Sequence, residues 1–339
     1  MQGIRSVLFT LFVLLTVLTA QSAFASLTVF QTYTGSYGVS SDGFGSTTNS
    51  GTISADVPLG ATVVSAYLYS ATFGGIETPP SLGTVTLNGD TVTFNTNYVN
   101  SIPPSLPDYF NTGRGDVTSI IAPVINGGPG GIYNFNVTES ESSTDGEALV
   151  VVYSLPSLPT STIAILDGGA SLTGDTTTMS FATPLNPSDP GFMATMAIGD
   201  SFSCCGQAST ITVNGNLLTQ NAGNNDDSAD ASAANGNLIT VGGIGDPFSP
   251  INPSYGDDHE FYNLVPFVNN GDTTITVNTV NPSNDDNIFL ALFDVSGSAT
   301  VCDTPDCASN VPEPGLFLLF GSGLLALWLS GRLFRRRLV

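Results

Sequence analysis

Ala148-Leu149-Val150-Val151-Val152-Tyr153 and Ile288-Phe289-Leu290-Ala291-Leu292-Phe293 are the stretches that decide the fold. Each is a continuous apolar run of strand length, with no charged side chain to mark a solvent face. Such runs suit strands covered on both sides. Elsewhere the pattern alternates. Thr62-Val63-Val64-Ser65-Ala66-Tyr67-Leu68-Tyr69 has the period of two expected of a half-buried strand. Gly, Ser, Thr, Asn and Asp are abundant between such runs and supply turns. No amphipathic helix of useful length is expected, so the chain reads as all-β.

Two hairpins punctuate it. Thr84–Leu87 and Asp90–Phe94 flank Asn88-Gly89, and Thr210–Val213 and Asn216–Leu218 flank Asn214-Gly215. Asn-Gly is the signature of a type I′ turn. The hairpins mark an internal repeat. In the first half a strand at Ser65–Ala71 precedes the hairpin, and strands at Asp116–Ile121, Gly131–Val137 and Glu147–Tyr153 follow. In the second half Met193–Ile198 precedes it, and Phe261–Phe267, Asp272–Val277 and Asn287–Phe293 follow. The second half is lengthened by a Gly/Asn/Asp-rich segment near residues 221–258. We expect two similar, jelly-roll-like β-sandwich lobes, at residues 26–157 and 158–300, joined near Leu155-Pro156-Ser157-Leu158-Pro159.

The chain has 339 residues, and a hydrophobic content of 41% is ample for a core. Charged residues make up only 10%, against roughly 25% in an average soluble domain. There is no Lys, and Arg114 is the only basic residue between the two terminal apolar segments. Of the 28 acids, all but Glu313 lie in that body. So one-sided a charge repels phosphate backbones and excludes nucleic-acid binding.

The termini set the expected compartment. Residues 1–25 have the parts of a secretory signal peptide: Arg5, an apolar run from Val7 to Leu18, and the small-x-small pattern of Ala23-Phe24-Ala25 before Ser26. This implies the Sec export machinery and a mature start at Ser26. At the other end, Val311-Pro312-Glu313-Pro314 is stiff and extended. An uncharged apolar stretch begins at Leu316. As a helix to Gly331 it spans about 24 Å, against a hydrocarbon core of about 30 Å. Leu333 and Phe334 extend it if Arg332 snorkels, giving a transmembrane helix over residues 316–334. Arg335, Arg336 and Arg337 then lie in the cytoplasm by the positive-inside rule. Residues 335–339 form that basic tail, and residues 301–315 form a cysteine-bearing stalk.

These three parts in order resemble the PEP-CTERM sorting signal of exported proteins in Gram-negative bacteria, many from biofilm- or floc-forming species with large exopolysaccharide loci. The resemblance covers residues 311–339. It implies recognition by an exosortase, a membrane cysteine protease-transpeptidase, and cleavage near the motif. In the body, Asp116-Val117-Thr118, Gly146–Tyr153 and Asp167-Gly168 resemble uncharacterised β-sandwich domains of large bacterial surface proteins. That likeness spans about 55 residues and carries no known activity.

Several groups could carry chemistry. In an exported protein Cys302 and Cys307 suit a small disulfide loop, and the adjacent Cys204 and Cys205 are further disulfide candidates. Asp226, Asp227 and Asp230, with Asp257 and Asp258, are candidate Ca²⁺ ligands on Gly/Asn-rich loops. The EF-hand pattern fails there, because Ala229 and Asn235 stand where Gly and Glu belong. His259 has no nucleophile motif beside it. Arg114-Gly115-Asp116 spells an adhesion tripeptide, although Asp116 reads as the start of the next strand. No catalytic residue is expected. The resulting expectation is an exported structural protein of the cell surface or extracellular matrix. It would be anchored first in the inner membrane, then processed by exosortase, and would associate with exopolysaccharide. The alternative is a calcium-dependent lectin or a carbohydrate-active enzyme, which would need a cleft with converging carboxylates and aromatic rings.

Overall fold

Both apolar runs become strands with nowhere to meet water. Thr144–Ser154 (β10) and Asn287–Ser296 (β19) are each buried along nine consecutive residues. In β10, Leu149 and Val151 face one core while Ala148, Val150 and Val152 face another. In β19, Leu290 and Leu292 share that second core, and Ala291, Phe293 and Val295 face a third. Alternation along a strand sends neighbours to opposite faces, so the stretch of each strand that lies between two cores is apolar on both faces. In this computed structural model the described residues are 26–45, 48–74, 81–101, 109–141, 143–201, 208–222, 238–254, 257–282 and 287–304.

The strands form four antiparallel sheets stacked as two sandwiches back to back. The first sandwich pairs an outer sheet with an inner one. The outer sheet contains Ser50–Val57 (β3), Gly131–Glu139 (β9), Val85–Leu87 (β5) and Asp90–Thr91 (β6), in that spatial order. The inner sheet runs Tyr37–Gly45 (β2), β10, Thr62–Phe73 (β4), Tyr109–Asp116 (β8) and Thr96–Ser101 (β7). In the second sandwich the inner sheet runs Thr28–Gly35 (β1), Ser161–Asp167 (β11), β19, Ala194–Ser201 (β13) and Ile239–Val241 (β16), with Phe261–Asn263 (β17) also paired to β13. Its outer sheet runs Asn216–Gln220 (β15), Thr210–Val213 (β14), Thr274–Val280 (β18), Asp175–Phe181 (β12) and Ala299–Cys302 (β20).

The two sandwiches repeat one topology. The inner order β2-β10-β4-β8 recurs as β11-β19-β13-β17, and the outer order β3-β9-β5-β6 recurs as β12-β18-β14-β15. The two Asn-Gly turns match in conformation. Asn88 and Asn214 take φ of 52° and 49°, and the glycines after them take 89° and 77°, the left-handed pair a type I′ turn requires. Each Asn donates its backbone N–H to the strand beside it and accepts one back on its side chain. Asn88 pairs this way with Asn136, and Asn214 with Thr276, at 2.7 to 2.9 Å. A Cβ at Gly215 would meet nothing within 4 Å, so substitution there tests backbone conformation alone. Gly215→Ala is expected to destabilise by about 1 kcal/mol in urea titration, with the fold unchanged.

The structure departs from the sequence expectation in two places. First, Asp116 ends a strand, and the chain from Thr118 to Ile125 is a helix (α1). The Asp116 carboxylate accepts the Thr118 N–H at 2.9 Å and turns the chain. Ile121 and Ile125, one helical turn apart, then plug the first core. The equivalent place in the second sandwich holds a single 3₁₀ turn, Val265–Phe267. Second, β1 falls within residues 26–157 but pairs along β11 of the second sandwich. Its side chains meanwhile pack on the first. The Tyr33 hydroxyl lies 2.6 Å from Ser65 Oγ and 3.2 Å from Tyr67 Oη, and Phe30 meets Tyr67 edge-on at 5.0 Å. β1 therefore covers a sheet edge and ties the two halves together. The two sandwiches pack as one compact unit over residues 26–303, which the short joint between them allows, and the middle core welds their inner sheets. The signal segment, Ala23 and Ala25 included, and the tail from residue 305 onward lie outside the described residues. Among the described residues no helix is long and apolar enough to cross a membrane.

Candidate functional site

On the middle face of the second inner sheet, the row Ile165–Leu292–Ala197 is apolar and the next row is Ile163–Asp294–Thr195. Leu290, Leu292 and Asp294 point the same way from β19, so Asp294 stands where the apolar filling ends. There the inner sheets part and leave a cleft of about 620 Å³. Its first wall comes from β2 (Val39, Ser40, Ser41), with Asp56 and Tyr153. The opposite wall holds Met193, Thr195, Leu292, Asp294, Phe261 and the segment from Gly243 to Phe248.

That segment is held firmly. Ser41 Oγ donates to the Gly242 carbonyl at 2.7 Å, and the Ile244 N–H donates to the Ser41 carbonyl at 3.0 Å. A Cβ on Gly243 would come within 2.1 Å of the same carbonyl oxygen, so only glycine fits this approach. The Asp246 carboxylate accepts the Gly243 N–H at 2.9 Å and closes the turn. At the rim, Phe248 stacks on Phe261 with centroids 4.6 Å apart and planes at 26°.

Two carboxylates, Asp56 and Asp294, line this cleft, and Asp42 and Asp246 lie on the segments that form it. Asp294 is 8% exposed. Burial lifts its pKa to about 6, against a hydrogen bond from Ser161 that favours the charged form. Its other oxygen, Oδ1, is buried and has no hydrogen-bond partner. Burial likewise lifts Asp42 and Asp246 to about 6. Asp42 is restrained by the N–H groups of Ser54 and Gly43, and Asp246 by the Gly243 N–H and the nearby His259. Tyr153 is raised by burial and then by the charges of Asp294 and Asp56. The arrangement accepts hydrogen bonds and presents ring faces.

A second polar cluster lies deeper. Glu147 is fully buried on β10 and takes a hydrogen bond from Ser70 Oγ at 3.1 Å. Burial, reinforced by the charge and hydrogen bond of Glu139, raises its pKa well above the usual range. Asp145 is raised in the same direction by burial, although Ser201 donates to it.

The residues singled out from sequence do not assemble here. Asp258 is buried as a structural brace: its carboxylate accepts from Thr219 Oγ1, from Ser249 Oγ at 2.9 Å and from the Glu260 N–H. Asp257 accepts from Ser254 Oγ at 2.6 Å on the surface. Asp226, Asp227 and Asp230 lie outside the described residues. Among the described residues no group of three or more His, Cys, Asp or Glu is placed to hold a metal. Cys302 is disulfide-bonded, while Cys204, Cys205 and Cys307 lie outside the described residues. So do Val311, Pro312, Glu313, Pro314, Arg332, Arg335, Arg336 and Arg337. The tripeptide at Arg114 is no adhesion loop, because its Arg turns inward to Asp167. The cleft residues were missed because they come from segments far apart in sequence. The one local signal was Asp294, a charge that directly follows a six-residue apolar run. No protein-family model, curated protein or solved structure matches this chain.

Proposed function

We propose that this is an exported structural protein of the cell surface or extracellular matrix. In this reading it is delivered through its C-terminal sorting tail, trimmed by an exosortase, and associated with exopolysaccharide. The observation that supports it is where the body begins and ends. Ser26, the expected mature start, hydrogen-bonds through Oγ to Asp175 at 2.6 Å on the outer sheet of the second sandwich. Asp303, where the tail departs, accepts the Val29 N–H at 2.7 Å. Cys302 just before it is disulfide-bonded and lies on β20, which pairs with β12. Both segments that would enter the membrane during export therefore leave from one place, and the exit is held by the pairing of β20 with β12. A body with acids throughout and its one Arg turned inward leaves a hydrated, anionic exterior, which suits a matrix component.

Mass spectrometry of the native surface protein tests this reading. The expected product starts at Ser26 and ends near Pro312–Pro314. Mature surface material with an intact Val339 would overturn it.

A further inference from the structure

We infer that the cleft between the two sandwiches is a carbohydrate-binding site that takes a pyranose unit of an oligosaccharide. This deepens the reading above by giving the polysaccharide association a location.

The argument starts from Asp294. A buried acceptor without a donor is costly, so native structures rarely leave one. Asp294 is more than nine-tenths buried, lines the cleft, and its Oδ1 receives no hydrogen bond. Its neighbours across the sheet do not supply one. Thr195 Oγ1 donates to the Asp294 main-chain carbonyl at 3.3 Å instead. A donor carried by a molecule in the cleft would supply it.

The rest of the lining narrows the ligand class. There is no Lys, Arg or His in it, and Asp56 adds a second carboxylate, so an anionic ligand is excluded by charge. Three large apolar side chains that are exposed on the surface, Ile132, Met193 and Phe248, all sit on this cleft. Phe248 is 48% exposed and is braced from behind by Phe261, so one ring face is free and fixed in orientation. A fixed ring face at the rim, with the carboxylates of Asp294 and Asp56 and the Tyr153 hydroxyl beside it, matches a pyranose, with its apolar C–H face and its ring of hydroxyls. The volume lies within the roughly 300–1,000 Å³ of small-molecule sites. The wall from Gly242 to Asp246 is already built and hydrogen-bonded, so binding needs no ordering of that segment.

The donor facing Asp294 is a hydroxyl in a neutral hexose and an ammonium in a hexosamine. Isothermal titration of the full-length protein, held in mild detergent, with purified oligomers of glucose, galactose and glucosamine separates the two. Saturable binding of at least one series is expected. Asp294→Leu removes the acceptor yet continues the apolar row of β19, so it folds. It should weaken binding about ten-fold or more. Phe248→Ala alters a half-exposed ring and should weaken binding by a similar factor. Binding that neither variant changes, or no binding in any series, overturns the assignment. The tail takes no part in this measurement, so its outcome is independent of whether the sorting reading holds.

Discussion

Replacing Arg114 with methionine is expected to cost about 3–5 kcal/mol of folding stability, the largest effect of any single charge change in the body. Arg114 reaches from β8 of the first sandwich to Asp167 at the end of β11 in the second, and the Asp167 side chain is 1% exposed. The same carboxylate accepts the Tyr69 hydroxyl at 3.1 Å. The guanidinium also lies over the Phe30 ring, 3.4 Å from its centroid, which ties in β1. Methionine leaves Asp167 charged and buried without the cation that faces it, and that lost compensation accounts for most of the cost. Adding Asp167→Asn to the same chain removes the charge while keeping an acceptor for Tyr69. The double variant should recover most of the stability. Urea titration followed by far-UV circular dichroism measures all three proteins. A single variant within 1 kcal/mol of the parent, a threshold of about one ordinary hydrogen bond, would sink the claim.

Mild acid is expected to stabilise this protein. Asp42, Asp246 and Asp294 are lifted to about 6, and Asp145, Glu147 and Asp175 are raised as well. Burial is the first cause in each. In the unfolded chain such groups titrate near 4. The folded protein therefore binds more protons than the unfolded one from about pH 4 to above pH 6. These groups favour the fold fully at low pH, and their contribution is lost as pH rises through their folded values. Repulsion within a chain of net charge −22 acts in the same direction. Between pH 7.5 and pH 5, solvent screening at the partly exposed groups leaves a gain of about 2 kcal/mol, or on the order of 5 °C in melting temperature. Calorimetry at the two values decides it: a higher melting temperature at pH 7.5 than at pH 5 contradicts the argument. Glu147→Gln should flatten the dependence, because the amide needs no proton to be buried.

The cleft and the ion pair were the parts least visible in the sequence. Arg114 stood out as the single Arg of the body and as the start of an Arg-Gly-Asp tripeptide, and nothing near it named Asp167 as its partner. The strand Thr28–Gly35 has a polarity pattern that fits either sandwich. It joins β11 because Phe30 and Tyr33 then reach Arg114, Ser65 and Tyr67 on the first sandwich. Ile120 and Ile121 suggested a strand because they are β-branched. The turn at Asp116 and the spacing of Ile121 and Ile125 decided for a helix that closes the core.

What the sequence determined by itself was local. Unbroken apolar runs made β10 and β19 into strands covered on both faces, and Asn-Gly fixed two identical turns, since only those residues accept the left-handed conformation cheaply. The repeated order of these signals also laid down the doubled topology. Only the tertiary structure decided how the two sandwiches meet. Alternation along a strand says that two faces are buried but not what covers each one. The meeting of two inner sheets settled that, and with it came the middle core, the pairing of Arg114 with Asp167, and the cleft that ends at Asp294.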